Sequence, residues 1–185
     1  MQMPRFHCLR LPGALLIAAS AFLAGCASKS ILPEHVPELA LPRSVHVIQH
    51  GAETPTQDAM LVAQKEAAGV LRWSLFDPLG LPLARQLLQD GQWRNDGFLP
   101  PNPTARALFS ALIFAWTPQA ALANAYPAGS WSQILLPDGS YQRQLQQNGR
   151  THWTIIWPSG TSPDTFNVYG VDGLRWQISP LKETP

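Results

Sequence analysis

Several segments of this chain alternate between apolar and polar side chains with a period of two. Leu71, Trp73 and Leu75 fall on one side, with Arg72 and Ser74 on the other. Trp153, Ile155 and Trp157 alternate with His152, Thr154 and Ile156, and Leu174, Trp176 and Ile178 alternate with Arg175, Gln177 and Ser179. Tyr141, Arg143 and Leu145 are interleaved with Gln142, Gln144 and Gln146, and residues 44–50 repeat the rhythm. Period two sends successive side chains to opposite faces of a pleated strand. Asp77-Pro78-Leu79-Gly80, Asp90-Gly91, Asp96-Gly97, Pro137-Asp138-Gly139, Asn148-Gly149 and Asp172-Gly173 punctuate the segments. Asp-Gly and Asn-Gly turn a hairpin because both residues tolerate positive φ. The pattern predicts antiparallel hairpins making a sheet with one apolar and one wet face.

One stretch departs from this rhythm. Asn102-Pro103 supplies an N-cap and a first helical residue, and Pro118 stops the helix. Leu108, Phe109, Leu112, Ile113, Phe114 and Trp116 occupy most of the circumference of that helix. Such a helix is buried on more than one side. Residues 119–126 add a further helical turn or two. The fold class expected is α+β: a curved antiparallel sheet, a half-open barrel, with helices covering its concave face.

The amino terminus carries a different signal. Arg5 and Arg10 precede an almost wholly apolar run, residues 11–24, which leads into Leu23-Ala24-Gly25-Cys26. A basic start, a short apolar run and small residues describe an export signal, and the run is too short to span a bilayer. Leu-Ala-Gly-Cys resembles the lipobox of bacterial lipoproteins. That resemblance implies cleavage before Cys26 and lipidation of its thiol, with acyl chains such as palmitate. Ala27 and Ser28 come next, with no Asp, which by resemblance to sorting rules implies the outer membrane, facing the periplasm. The organisation expected is a lipoprotein signal peptide over 1–25, a lipidated Pro-rich tether over 26–43, with room for a short helix, and a domain over 44–185.

Removing the signal takes away two of the 13 Lys and Arg and none of the 12 acids, so the net charge of +1 becomes about −1. That is no footprint for nucleic acid. Cys8 leaves with the signal and Cys26 is acylated, so no disulfide is expected within one mature chain. Low charge and seven Trp point to much apolar surface, some of which lines either a core or a cavity.

The ordered motifs together resemble the LolA/LolB-like outer-membrane lipoprotein superfamily. They are similar above all to an uncharacterised lipoprotein branch associated with aryl-polyene biosynthesis clusters. The strand over 71–76 runs into Asp77-Pro78-Leu79-Gly80 as LolB's strand runs into its Pro-Leu-Gly turn. The insert at 102–117 falls where LolB has a helical lid. The Gln147-Asn148-Gly149 turn is followed by a Trp strand, and Asp172-Gly173-Leu174-Arg175 fits the terminal hairpin. The likeness covers roughly residues 44–180. It implies a hydrophobic cavity for acyl chains, here lined by Leu71, Trp73, Leu75, Leu112, Trp116, Trp153, Ile155, Trp157 and Trp176. It also implies a membrane-insertion turn carrying Leu79. The partners implied are membrane lipid or acylated cargo and a periplasmic LolA-like carrier, for a chain that works as a monomer. Gly80-Leu81-Pro82 makes this turn stiffer than LolB's, and a different lipid cargo, such as a lipid-linked product, fits the departure.

No catalytic constellation stands out: there is no Gly-x-Ser-x-Gly elbow, phosphate-binding Gly loop or zincin helix. His46 and His50 lie four apart on a segment that reads as a strand, where they span about 13 Å, too far for one ion. No metal and no cofactor is therefore expected. Non-catalytic transport or insertion of lipoproteins is the function expected. A scaffold lipoprotein of an envelope assembly is the alternative. A hydrolase would have to draw on dispersed carboxylates such as Glu53, Asp58 and Asp164.

Overall fold

A computed structural model describes residues 31–51, 55–67, 69–171 and 173–181. Among these residues, ten strands lie in one sheet: β1 (Arg43–His50), β2 (Gln57–Ala67), β3 (Val70–Phe76), β4 (Pro82–Gln89), β5 (Gln92–Asn95), β6 (Trp131–Leu135), β7 (Tyr141–Gln147), β8 (Arg150–Trp157), β9 (Phe166–Gly170) and β10 (Arg175–Pro180). Two helices, α1 (Pro103–Trp116) and the short α2 (Leu122–Ala125), lie between β5 and β6, with a 3₁₀ turn at Gln119–Ala121.

The strand order is β5-β4-β3-β2-β1-β10-β9-β8-β7-β6, and every pairing is antiparallel. The sheet is thus two five-stranded meanders. They meet only where β1 pairs with β10, for example Val47 opposite Ile178. The sheet is open, with β5 and β6 at its edges, and the helical insert joins those two edges.

The turns explain the local pairing. Asp90 and Gly91 both have positive φ, as do Asn148 and Gly149. Two consecutive positive φ values define the hairpin turn whose twist matches its flanking strands. Gly173 is also positive in φ between β9 and β10; Asp172 and Glu53 lie outside the described residues. Asp96-Gly97 does not join two strands: the chain leaves the sheet there and runs to α1. The helix starts as its sequence predicts, with the Asn102 side chain accepting from the Ala105 N–H at 2.9 Å.

The inner face carries Val45 and Val47, Leu61 and Ala63, Leu71, Trp73 and Leu75, Leu145, Trp153 and Ile155, and Trp176 and Ile178, all buried. From Leu108 to Trp116 every residue of α1 is buried, so this helix has no wet stripe. Its contacts reveal the shape of the sheet. Trp93 of β5 donates to the Ser110 hydroxyl, and Arg143 of β7 donates to the Phe114 carbonyl. Those two helix residues are about 6 Å apart along the axis. In a flat sheet β5 and β7, eight strand steps apart, would be about 38 Å apart. The sheet is therefore strongly bent.

The segment before β1 is less free than a tether. Residues 31–42 contain no helix, Leu39 is buried, and Ile31 and Leu32 pack against the core. The Glu34 N–H donates to the Ala125 carbonyl at 2.8 Å, and Lys65 pairs with Glu38.

Candidate functional site

The residues expected to line a cavity converge on one interior. Trp73 and Trp116 stack with ring centroids 5.6 Å apart and planes within 16°. Phe109 lies 5.7 Å from Trp73, and Trp93 approaches the Trp73 ring edge-on at 6.3 Å. Trp153 and Trp176 meet edge to face at 6.0 Å. Leu71, Leu75, Leu112 and Ile155 are buried in the same core cluster. Trp157 stands apart from the stacked group: it is half-buried, against Phe166, and donates from its indole to the Pro163 carbonyl. With α1 in this position, Phe109 and Trp116 of the helix pack directly against Trp73 of β3.

The indole N–H groups of Trp73, Trp116 and Trp153 are buried without a hydrogen-bond partner. A donor left so in an apolar interior is held at a free-energy cost of about 1–3 kcal/mol. The fourth deeply buried indole, Trp176, is satisfied by Gln49 at 3.0 Å.

Polar side chains hold α1 at both ends. In its first turn Arg106 donates to Gln86, a buried residue of β4. At the other end the last carbonyls of a helix lack intrahelical donors, and in a dry setting they need outside partners. Arg143 supplies them: its Nη1 donates to the carbonyls of Phe114 (2.9 Å), Ala115 (3.2 Å) and Thr117 (2.9 Å). Its Nε donates to Gln133, and its guanidinium lies 5.7 Å from the Phe114 ring and 5.4 Å from that of Trp157. No basic residue occupies the last turn of α1 itself, so β7 provides the cation that the negative end of the helix favours. Burial draws the Arg143 pKa down to about 10, with Tyr126 acting the other way, so the group remains a cation at neutral pH. Burial pushes the Tyr126 hydroxyl well above its ordinary value. Arg43 completes the grip, 5.1 Å from the Trp116 ring centroid and paired with Asp164 at 2.9 Å.

Arg143 appeared in the sequence only as one member of an alternating strand. The signal for its role is a cation in the inward phase of a strand, together with a helix lacking a basic residue in its last turn. An open cleft of about 440 Å³ lies beside it, walled by Tyr141, Trp157 and the loop from Pro158 to Pro163.

The remaining candidates are dispersed. Leu79 is 86% exposed at the tip of the β3–β4 turn, which the Asp77 carboxylate ties by accepting from the N–H groups of Leu79 and Leu81. His46 pairs with Asp58 across β1 and β2, and His50 contacts Thr56. Among the described residues no group of three or more His, Cys, Asp or Glu is placed to hold a metal ion. Cys26 lies outside the described residues. No helix among the described residues is long and apolar enough to cross a membrane. No family model matches the chain, and no curated protein matches it.

Proposed function

We propose that this chain is a LolA/LolB-like lipoprotein, anchored through Cys26 to the outer membrane and facing the periplasm. In this reading it shelters acyl chains and helps receive, transfer or insert lipoproteins or a lipid-linked product. It works without covalent chemistry, as a monomer, taking acylated cargo from a LolA-like carrier or from membrane lipid. The observation that carries the reading is a bent, open sheet whose apolar inner face packs, through Trp73 and Trp93, against a helix buried from Leu108 to Trp116. That helix is tied in by side chains and never by strand pairing.

Acyl chains would take the place of α1, which acts as a lid over the concave face. Leaving water for such an interior is worth about 25 cal/mol per Å² of apolar surface. The unpaired indoles of Trp73, Trp116 and Trp153 would find acceptors in ester carbonyls of the cargo. Leu79, on a stiff and exposed turn, would enter the receiving membrane.

The test is quenching of tryptophan fluorescence by a fatty acid brominated along its chain. Saturable quenching is expected, and its loss in Leu112→Trp, which overfills the space beside the lid, locates the site. Absence of saturable quenching overturns the acyl-binding reading. The close stacking of Trp73 on Trp116 favours a second reading, a scaffold lipoprotein whose interior is simply a core. That reading gains if quenching is absent while the anchor at Cys26 is present.

A further inference from the structure

Leu79 does not stand alone. The loop from Asp96 to Asn102 is pinned at both ends to the start of β4. The Asp96 N–H donates to the Arg85 carbonyl at 3.1 Å, and the Asn102 side chain reaches the Leu83 carbonyl at 3.5 Å. This brings Phe98 to the corner of the sheet where the β3–β4 turn projects. Phe98 is fully exposed, Leu81 is 61% exposed and Leu83 is 41% exposed. Residues 78–84 and 97–105 contain no charged side chain. The nearest carboxylates are both engaged: Asp77 with its own turn, Asp96 with Arg72 and Arg85.

Leu79 and Leu81 on one neutral, proline-stiffened loop, backed by Leu83 at the start of β4, and Phe98 on the other make a pair of prongs. Isolated projections cannot bury much area against another folded surface, but each can enter a fluid apolar phase. We infer that Phe98 and Leu79 together form a two-pronged bilayer-inserting tip, and that its occupant is the acyl region of a phospholipid membrane. This rests on the reading of Leu79 above and extends it to a second loop.

The tether supports the same occupant. The described chain begins at Ile31, and Glu34 is bonded to Ala125, near the C-terminal half of α1; Phe114 and Tyr126 meet there with ring centroids 5.1 Å apart. The tip is at the N-terminal end of α1, through Asn102. Cys26 precedes Ile31 by five residues, a reach of at most about 18 Å. An anchor on so short a leash holds the domain against its membrane, and the tip is the second point of contact.

The test uses the mature chain from position 26 with Cys26→Ser, so that neither the signal nor an acyl group contributes an anchor. A polarity-sensitive fluorophore is placed at Pro100→Cys, beside Phe98, and separately at Gln177→Cys, on the outer face of β10. Phosphatidylethanolamine–phosphatidylglycerol vesicles carrying spin-labelled acyl chains are then added. The expected result is a blue shift and at least twofold quenching at position 100, absent at 177 and abolished by Phe98→Ser. A probe at 100 that stays as wet as the one at 177, that is shielded without quenching, or that is quenched equally with Phe98→Ser, overturns the second prong. These outcomes are independent of brominated fatty-acid quenching, so failure of the cavity and failure of the tip are told apart.

Discussion

Nη1 of Arg143 lies 2.9 Å from the carbonyl oxygen of Phe114, joining β7 to the last turn of a helix 29 residues earlier in the chain. The contact gives a dry helix end its missing donors and fastens α1 to the sheet.

Arg143→Met should therefore loosen α1 selectively. It leaves carbonyls unpaired at about 1–3 kcal/mol each, partly offset because no cation is buried. A net loss near 3 kcal/mol in urea unfolding is expected, together with stronger quenching by brominated fatty acid. Leu61→Ala, at a fully buried position on β2, should lose about 2–5 kcal/mol without that gain. Equal gains in both variants would mean that general destabilisation, and not the Arg143 grip, admits the probe.

Leu79→Glu should fold as the parent does, within about 0.5 kcal/mol, because the side chain projects into solvent. Delivery of a labelled lipoprotein into outer-membrane vesicles should be abolished. Undiminished delivery would remove the turn from the mechanism.

The alkaline limb of stability should reflect two opposed groups, Tyr126 and Arg143. The folded pKa of Tyr126 is raised above the ordinary value of 10.0, so its contribution is complete below about pH 10 and disappears as pH rises further. Arg143 works oppositely: between its folded value of about 10 and the ordinary 12.5 the unfolded chain binds more protons, which raises stability with pH. Tyr126→Phe should leave only the second effect. Urea midpoints between pH 8 and pH 11.5 should stay nearly level for the parent, in which the two effects oppose, and rise above about pH 10 for the variant.

Cys26→Ser should end incorporation of labelled palmitate and release the chain from the membrane fraction. Continued labelling would place the acyl group on another residue.

Much of this architecture was legible because short-range chemistry specifies it. Asp90-Gly91 and Asn148-Gly149 marked hairpins through their tolerance of positive φ, and Asn102-Pro103 marked the start of α1. β2 was harder to see, since Ala59 and Ala63 give a faint alternation around Leu61. Asp96-Gly97 misled because the same dipeptide that turns a hairpin also lets a chain leave a sheet. The prolines of residues 31–42 suggested a free tether, yet Leu39 is buried, a long-range outcome that local composition does not encode. Periodicity put Trp73 on an apolar strand face and Phe109 and Trp116 on a buried helix, and the family resemblance implied that Trp73 and Trp116 share one interior. The grip of Arg143 was not legible in this way, because it depends on which strand comes to lie under the end of α1. An all-round apolar helix gives no clue to that.

The junction of β1 with β10 has a consequence for biogenesis. Each meander assembles from neighbours in sequence, but His46 faces Ser179, 133 positions later, and the seam cannot close until the last strand is present. Until then β1 and β9 each expose an unpaired edge, the surface on which chains stick to one another. A polypeptide emerging amino end first would keep two half-sheets apart until residues 175–180 arrive. Loss of residues 175–180 would accordingly produce aggregation and not a smaller folded protein.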